Sequence, residues 1–174
     1  MDTHKQLSKI TTVCLTGHRP KSLPWKYDET KEDCQKFKQR CKEIFVGVID
    51  FGITTFLTGM AEGFDMIASE IIIEIKKDIP YIKLIAVIPC NGQEIRWTKP
   101  QQIRYGEILK QCDDKIVLSE CYNPTCMNYR NLYMVQHSSM CIACWNGKPS
   151  GTKNTVMYAK ENGCKVKIIN PENF

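Results

Sequence analysis

The sequence predicts an α/β fold: a doubly wound, mainly parallel sheet with helices on both faces. Three observations carry this. Short apolar, β-branched runs alternate with helix-patterned segments along the whole chain, the pattern of strands joined by right-handed helical crossovers. The run Ile82–Ile88 is apolar apart from Lys83, as expected of a strand buried on both faces. Three of the runs end in glycine turns.

Taken in order, Ile10–Thr16 reads as the first strand and exits at Gly17-His18-Arg19-Pro20, where proline stops the run. Lys21–Tyr27 is a loop holding Trp25. Asp28 or Thr30 is the candidate cap of a helix to about Ile49, with Phe37, Cys41, Ile44, Phe45 and Val48 on its apolar face. Gly52 closes it before a second strand, Ile53–Thr58. That strand breaks at Gly59 and turns through Met60-Ala61-Glu62-Gly63 into a helix ending near Lys76-Lys77. Met60, Phe64, Ile67 and Ile71 have the spacing of one helical face.

After Ile82–Ile88, a turn at Pro89–Gly92 leads to a helix from about Lys99. Asp114–Leu118 is a fourth strand, and Asn123-Pro124-Thr125 turns into a helix from about Cys126 to His137. Met140–Trp145 is the fifth strand. Asn146–Thr152 is the third glycine turn, and Ser150 or Thr152 caps a helix Lys153–Glu161. Gly163 ends that helix before a last strand, Val166–Ile169. No repeat, low-complexity tract or linker divides the chain, so residues 1–174 are expected to form one domain with a core over about 10–170.

A chain of 174 residues with 43% hydrophobic and 25% charged residues can bury a real core. Its net charge of +5 comes from scattered lysines without interleaved aromatics, so nucleic acid is not the expected partner. Met1–Lys9 is polar and lacks the apolar centre of a secretory leader. No apolar run approaches the length that spans a bilayer. The expectation is a cytoplasmic protein with no membrane partner. In that setting the ten cysteines are not read as disulfides. Cys141 and Cys144 have C-x-x-C spacing, but residues three apart in a strand point to opposite faces. With only His4, His18 and His137 besides, no metal site and no cofactor is expected.

In open parallel sheets, ligands bind beyond the carboxyl ends of the strands, where strand order reverses. A strand that turns on glycines into a helix leaves N–H groups and the positive end of a dipole for an anion, above all phosphate. The plainer alternative at each turn is a tight connection with no ligand. Gly17-His18-Arg19 puts a guanidinium at such an end, able to hold a phosphate bidentately; the alternative is a surface ion pair. A loop histidine such as His18 is usually just solvated. Ser150-Gly151-Thr152 offers hydroxyls and amides at a helix start, or simply an N-cap. Met127, Arg130 and Met134 share a helical stripe, so Arg130 interrupts an apolar face and must find an anion. That anion is a ligand, or Asp65 or Glu62. Asp65 is also placed to take a ribose hydroxyl. Trp97 and Trp145 are candidates to stack on a base or to lie in the core.

These segments together resemble one family. Thr16-Gly17-His18-Arg19-Pro20, Thr58-Gly59-Met60-Ala61-Glu62-Gly63-Phe64-Asp65, Arg130-Asn131 with Met134-Val135, and Trp145-Asn146-Gly147-Lys148-Pro149-Ser150-Gly151-Thr152 look like the YpsA-like family of the SLOG superfamily. Its relatives are the LOG phosphoribohydrolases and DprA. The resemblance runs from about Thr11 to Ile169. It implies a Rossmann-like sheet and a nucleotide or nucleotide-derived ligand, with an ADP-ribose core or a cyclic nucleotide as candidates. It also implies a role as sensor or sequestering sponge, including in phage defence or anti-defence. Gly17, His18, Arg19, Gly59, Met60, Glu62, Gly63, Asp65, Arg130, Asn131, Asn146, Gly147, Ser150, Gly151 and Thr152 are the expected ligand-binding residues. A homo-oligomer is left open.

One departure bears on catalysis. LOG-type enzymes follow their Gly-Thr turn closely with a glutamate, whereas Gly151-Thr152 is followed here by Lys153-Asn154-Thr155-Val156. N-glycosidic cleavage needs a carboxylate to activate water or stabilise the developing sugar cation. Glu62 and Asp65 are the candidates to substitute, and at a helix N-terminus both are expected to be ordinary ionised carboxylates. The alternatives to binding are a LOG-type N-glycosidase and, further off, a DprA-like single-stranded DNA binder.

Overall fold

The computed structural model describes residues 7–174. Most of the polar N-terminal stretch read above, including His4, lies outside the described residues. Six strands form one sheet: β1 (Thr12–Gly17), β2 (Thr55–Thr58), β3 (Lys83–Ile88), β4 (Asp114–Val117), β5 (Met140–Cys144) and β6 (Lys165–Ile169). Every strand pair is parallel, in the order β4-β3-β2-β1-β5-β6. The chain therefore steps outward from β1 to β4, crosses back, and resumes on the other side of β1. Strand order reverses between β1 and β5.

Five helices make the crossovers: α1 (Glu32–Asp50), α2 (Phe64–Asp78), α3 (Lys99–Gln111), α4 (Cys126–Gln136) and α5 (Gly151–Glu161). Helices α1, α2 and α3 cover one face and α4 and α5 the other. The period of two along each strand sorts the core. Val13 and Leu15 point toward α1 and α2, while Cys14 points toward α4 and α5. In β5, Cys144 lies in the first cluster and Cys141 in the second, so the C-x-x-C pair is split between faces. Among the described residues no helix is long and apolar enough to cross a membrane.

The boundaries differ from the predicted ones where local hydrogen bonds compete with the ladder. Lys9–Thr11 form a 3-10 turn, with Thr12 donating its hydroxyl to the Ser8 carbonyl (2.8 Å), so β1 starts at Thr12 and Ile10 is exposed. Asp28 does not cap α1. Its carboxylate accepts from the Thr30 amide and hydroxyl, a local turn that delays the helix to Glu32. Met60 has the periodicity of α2 but is not in it; it is buried in the preceding turn at φ +54°.

Candidate functional site

The reversal of strand order sets the site. Gly17 at the end of β1 is in register with Cys144 at the end of β5, and the His18 amide donates to the Cys144 carbonyl (3.1 Å). His18 is not a solvated loop residue: its ring is 4% exposed, with Nε2 2.8 Å from Asn146 Oδ1. Asn146 Oδ1 also accepts the Lys148 amide (3.2 Å), and its Nδ2 donates to Glu172 (2.8 Å). The Asn146 backbone amide lies 3.1 Å from the same ring nitrogen, so the His18 tautomer sets which of the two contacts is a hydrogen bond. His18 and Asn146 thus bridge the two halves of the sheet across the switch point.

The second turn, between β2 and α2, is knit from inside. Thr58 Oγ1 accepts the Met60 amide (3.2 Å), and Asp65 Oδ2 accepts the Ala61 amide (3.2 Å). Gln93 Nε2 reaches the Gly59 and Met60 carbonyls, both at 3.3 Å. Arg130, 4% exposed, donates Nη1 to the Gly59 carbonyl and Nε to Asn131 Oδ1. Its hydrogen bonds thus go to a carbonyl and an amide, not to a carboxylate. A Cβ at Gly59 would strike that guanidinium, with Asp65 Oδ2 at 2.9 Å. Gly63 has φ +90°, and a Cβ there would lie 2.5 Å from the His18 carbonyl. The space these glycines leave is filled by the protein itself, as is that beside Gly17, which faces the Phe64 ring.

The electrostatics of this turn correct the sequence expectation of ordinary carboxylates. Burial pushes the Asp65 carboxyl upward from its usual value, against the pull of Arg130 and then Arg19. Burial likewise raises Glu62, against Arg19 and Lys21. Burial lowers Arg130, while Asp65 supports its charge. Arg19 is exposed, and no ion pair to it exists among the described residues.

The third turn, between β5 and α5, is the open one. Gly147 and Gly151 face empty space. Ser150 caps α5 by accepting the Lys153 amide (3.2 Å), and Thr152 is buried at the helix start. A cavity of about 470 Å³ lies in front of this turn, lined by His18, Lys21, Lys26, Asn146, Lys148 and Ser150 among others. Of the predicted residues, His18, Asn146 and Ser150 line it. Gly59, Met60, Asp65 and Arg130 are packed in the adjoining second turn.

Lys21, Lys26 and Lys148 were not singled out by sequence reasoning. The loop that carries the first two is anchored by Leu23 and by Trp25, which packs on Phe37 at 4.9 Å. The apolar Leu23 and Trp25 set between Lys21 and Lys26 were the available sequence signal. Glu172 at the cavity rim was also missed; it pairs with Lys148 at 3.1 Å. Trp97 packs edge-on against Tyr105 (5.5 Å), and Trp145 donates to the Lys148 carbonyl (2.7 Å), so each tryptophan has a partner within the chain. A larger cavity of about 980 Å³ opens at the amino ends of the strands, lined by Thr54, Thr55, Lys83, Asp114, Tyr133 and His137 among others. It holds none of the glycine turns.

The chain is similar to known proteins in sequence and in fold. The model of the YspA SLOG family matches residues 13–174. The SPbeta prophage-derived protein YoqJ of Bacillus subtilis is 32% identical over 139 residues, 70% of this chain and 81% of YoqJ. The UPF0398 protein BH1768 of Halalkalibacterium halodurans is 24% identical over 172 residues, 95% of this chain and 90% of that protein. Among solved structures, DNA processing protein A (DprA) of Streptococcus pneumoniae superposes with a TM-score of 0.65 at 20% identity. That match covers 95% of this chain, which spans about half (52%) of the streptococcal one. DNA processing protein A of Helicobacter pylori, described for its single-stranded DNA binding mode, superposes at 0.60 with 18% identity, covering 95% and 67%. At these identities the structural likeness speaks to the fold.

Proposed function

The chain belongs to the YspA SLOG family, and from that premise we propose that it binds a nucleotide or nucleotide-derived signal as one domain, acting as a sensor or a sequestering protein. The carrying observation is the position of the 470 Å³ cavity. It sits at the carboxyl ends of β1 and β5, where strand order reverses, with His18, Asn146 and Ser150 on its wall and three lysines around it. The second turn, packed around Arg130 and Asp65, adjoins the cavity without lining it, and the third turn supplies the open backbone and cationic rim for a phosphate.

The test is a thermal shift with AMP, NAD, ADP-ribose and cyclic ADP-ribose, since a ligand selective for the native state must stabilise it. Mass spectrometry of small molecules released on denaturation runs beside it. A stabilising compound recovered intact supports binding. Release of free base at enzymic rates replaces binding with N-glycosidic cleavage, with Glu62 or Asp65 as the candidate carboxylate.

A second reading rests on the same rim. Lys21, Lys26 and Lys148 are scattered in sequence but gathered at one cavity, and Arg19 is exposed beside the second turn. The scatter of lysines along the chain is therefore no argument against nucleic acid. Single-stranded DNA would place its phosphates on this rim, and its affinity would fall steeply with salt. A fluorescent oligonucleotide titrated at two salt concentrations separates this from nucleotide binding.

A further inference from the structure

Cys90 and Cys126 are 36 positions apart in sequence and meet with their sulfurs 4.0 Å apart. Cys90 follows Pro89 just beyond β3, and Cys126 opens α4. Both are free thiols and almost wholly buried, 1% and 2% exposed. Their surroundings are nevertheless close to the surface: Glu120–Thr125, the segment leading into α4, is exposed at every residue and carries the exposed thiol Cys121. A disulfide requires sulfurs about 2.05 Å apart. The remaining ~2 Å can be closed by rotating two unbranched side chains and shifting an irregular segment. Cys14 and Cys141 also face each other, but they are fixed in register on the two central strands, under both helices of their face.

We propose that Cys90 and Cys126 form a thiol-oxidation site in which a peroxide closes a Cys90–Cys126 disulfide. The Cys126 sulfur attacks the peroxide O–O bond, giving a sulfenic acid and releasing one oxygen as water. The Cys90 sulfur then displaces the sulfenic hydroxyl, which leaves with the Cys90 proton as a second water. Two thiols and one hydrogen peroxide yield one disulfide and two waters, the peroxide supplying the oxidising equivalents. The bond ties the start of α4 to the end of β3. Arg130 lies one turn along the same face of α4 from Cys126, so the crosslink also fixes the guanidinium that holds the Gly59 carbonyl. Its formation does not depend on what the cavity binds.

Hydrogen peroxide is added to the full chain, which is then unfolded without reductant, alkylated, digested and weighed. The expected result is a Cys90 peptide joined to a Cys126 peptide, two hydrogens lighter than the sum of the pair, and two of the ten thiols lost to alkylation. Dithiothreitol restores both. The same linked pair forms in Cys121→Ser, and Cys126→Ser leaves Cys90 alkylatable. Full alkylation of Cys90 and Cys126 at doses that oxidise Cys121 overturns the proposal. So does a linkage of either one to Cys121 in place of the other.

Discussion

The second and third glycine turns look alike in sequence and behave oppositely in the fold. Both follow a buried strand, both lead into a helix, and both carry two glycines. In the turn after β2, missing Cβ atoms make room for the Arg130 guanidinium and the His18 carbonyl. Carbonyls and amides of Gly59, Met60 and Ala61 are bonded to Arg130, Gln93, Thr58 and Asp65. In the turn after β5, the glycines face open space and the cavity begins. A glycine at a strand end is thus a packing device in one place and part of an open surface in the other. What decides is whether a distant segment, by side chain at Gly59 or by backbone at Gly63, is packed against it.

The comparison is broken most directly by adding a methyl group to each turn. Gly63→Ala forces an L residue to φ +90° and drives its Cβ to 2.5 Å from the backbone carbonyl of His18, which cannot rotate away. A loss of about 4 kcal/mol is expected, from strain and overpacking together. Gly151→Ala meets nothing and should change stability by less than about 0.5 kcal/mol. Urea denaturation of the two variants measures both. Equal costs would mean the turns are not distinct in kind.

Arg130→Ala comes next, with an expected loss of about 3 kcal/mol, because it strips the Gly59 carbonyl of its donor and leaves Asp65 buried without its nearest positive charge. Thermal shift with a nucleotide separates this structural cost from ligand binding: if Arg130 serves only the turn, the ligand-induced shift persists in the destabilised variant. On the open turn, Ser150→Ala removes a side-chain cap on α5 and should cost about 1 kcal/mol. A loss as large as that at Gly63 would show that the third turn is also part of the core.

The alternating architecture was legible because strand and helix periods are local: β3, α2 and β5 follow from their own residues. A doubly wound sheet puts the ends of the first, second and fifth strands side by side, as β2-β1-β5 are, while the rest of the sheet order needed the fold. The site was legible in part. Asn146 and Ser150 lie in a turn whose glycines and hydroxyls mark it. Arg130 was conspicuous as a charge on an apolar stripe, but its partner, a backbone carbonyl 71 residues away, has no sequence signature. Lys21 and Lys26 were hidden because a lysine in a loop looks solvated until Leu23 and Trp25 are known to pin that loop against the core.

The smallest effect is the most discriminating, because it sets a carboxylate of the closed turn against one that packs beside the open turn as pH changes. Asp65, in the closed turn, is raised by burial above the ordinary aspartate value of 3.8. A raised acid stabilises the fold while protonated and loses that contribution as pH rises through its folded value. Relative to Asp65→Asn, which stays neutral, the wild type should therefore gain stability as pH falls from neutrality toward the carboxylate range. Glu172, at the rim of the open turn, is lowered from 4.5 by Asn146 and then Lys148. Its contribution is present above 4.5 and fades as pH falls through its lower folded value, so the wild type should lose ground to Glu172→Gln over that interval. Midpoints of unfolding measured across pH for the two pairs should run in opposite directions. Parallel curves would mean that both carboxylates meet the same surroundings, and the contrast between a closed turn and an open one would not survive.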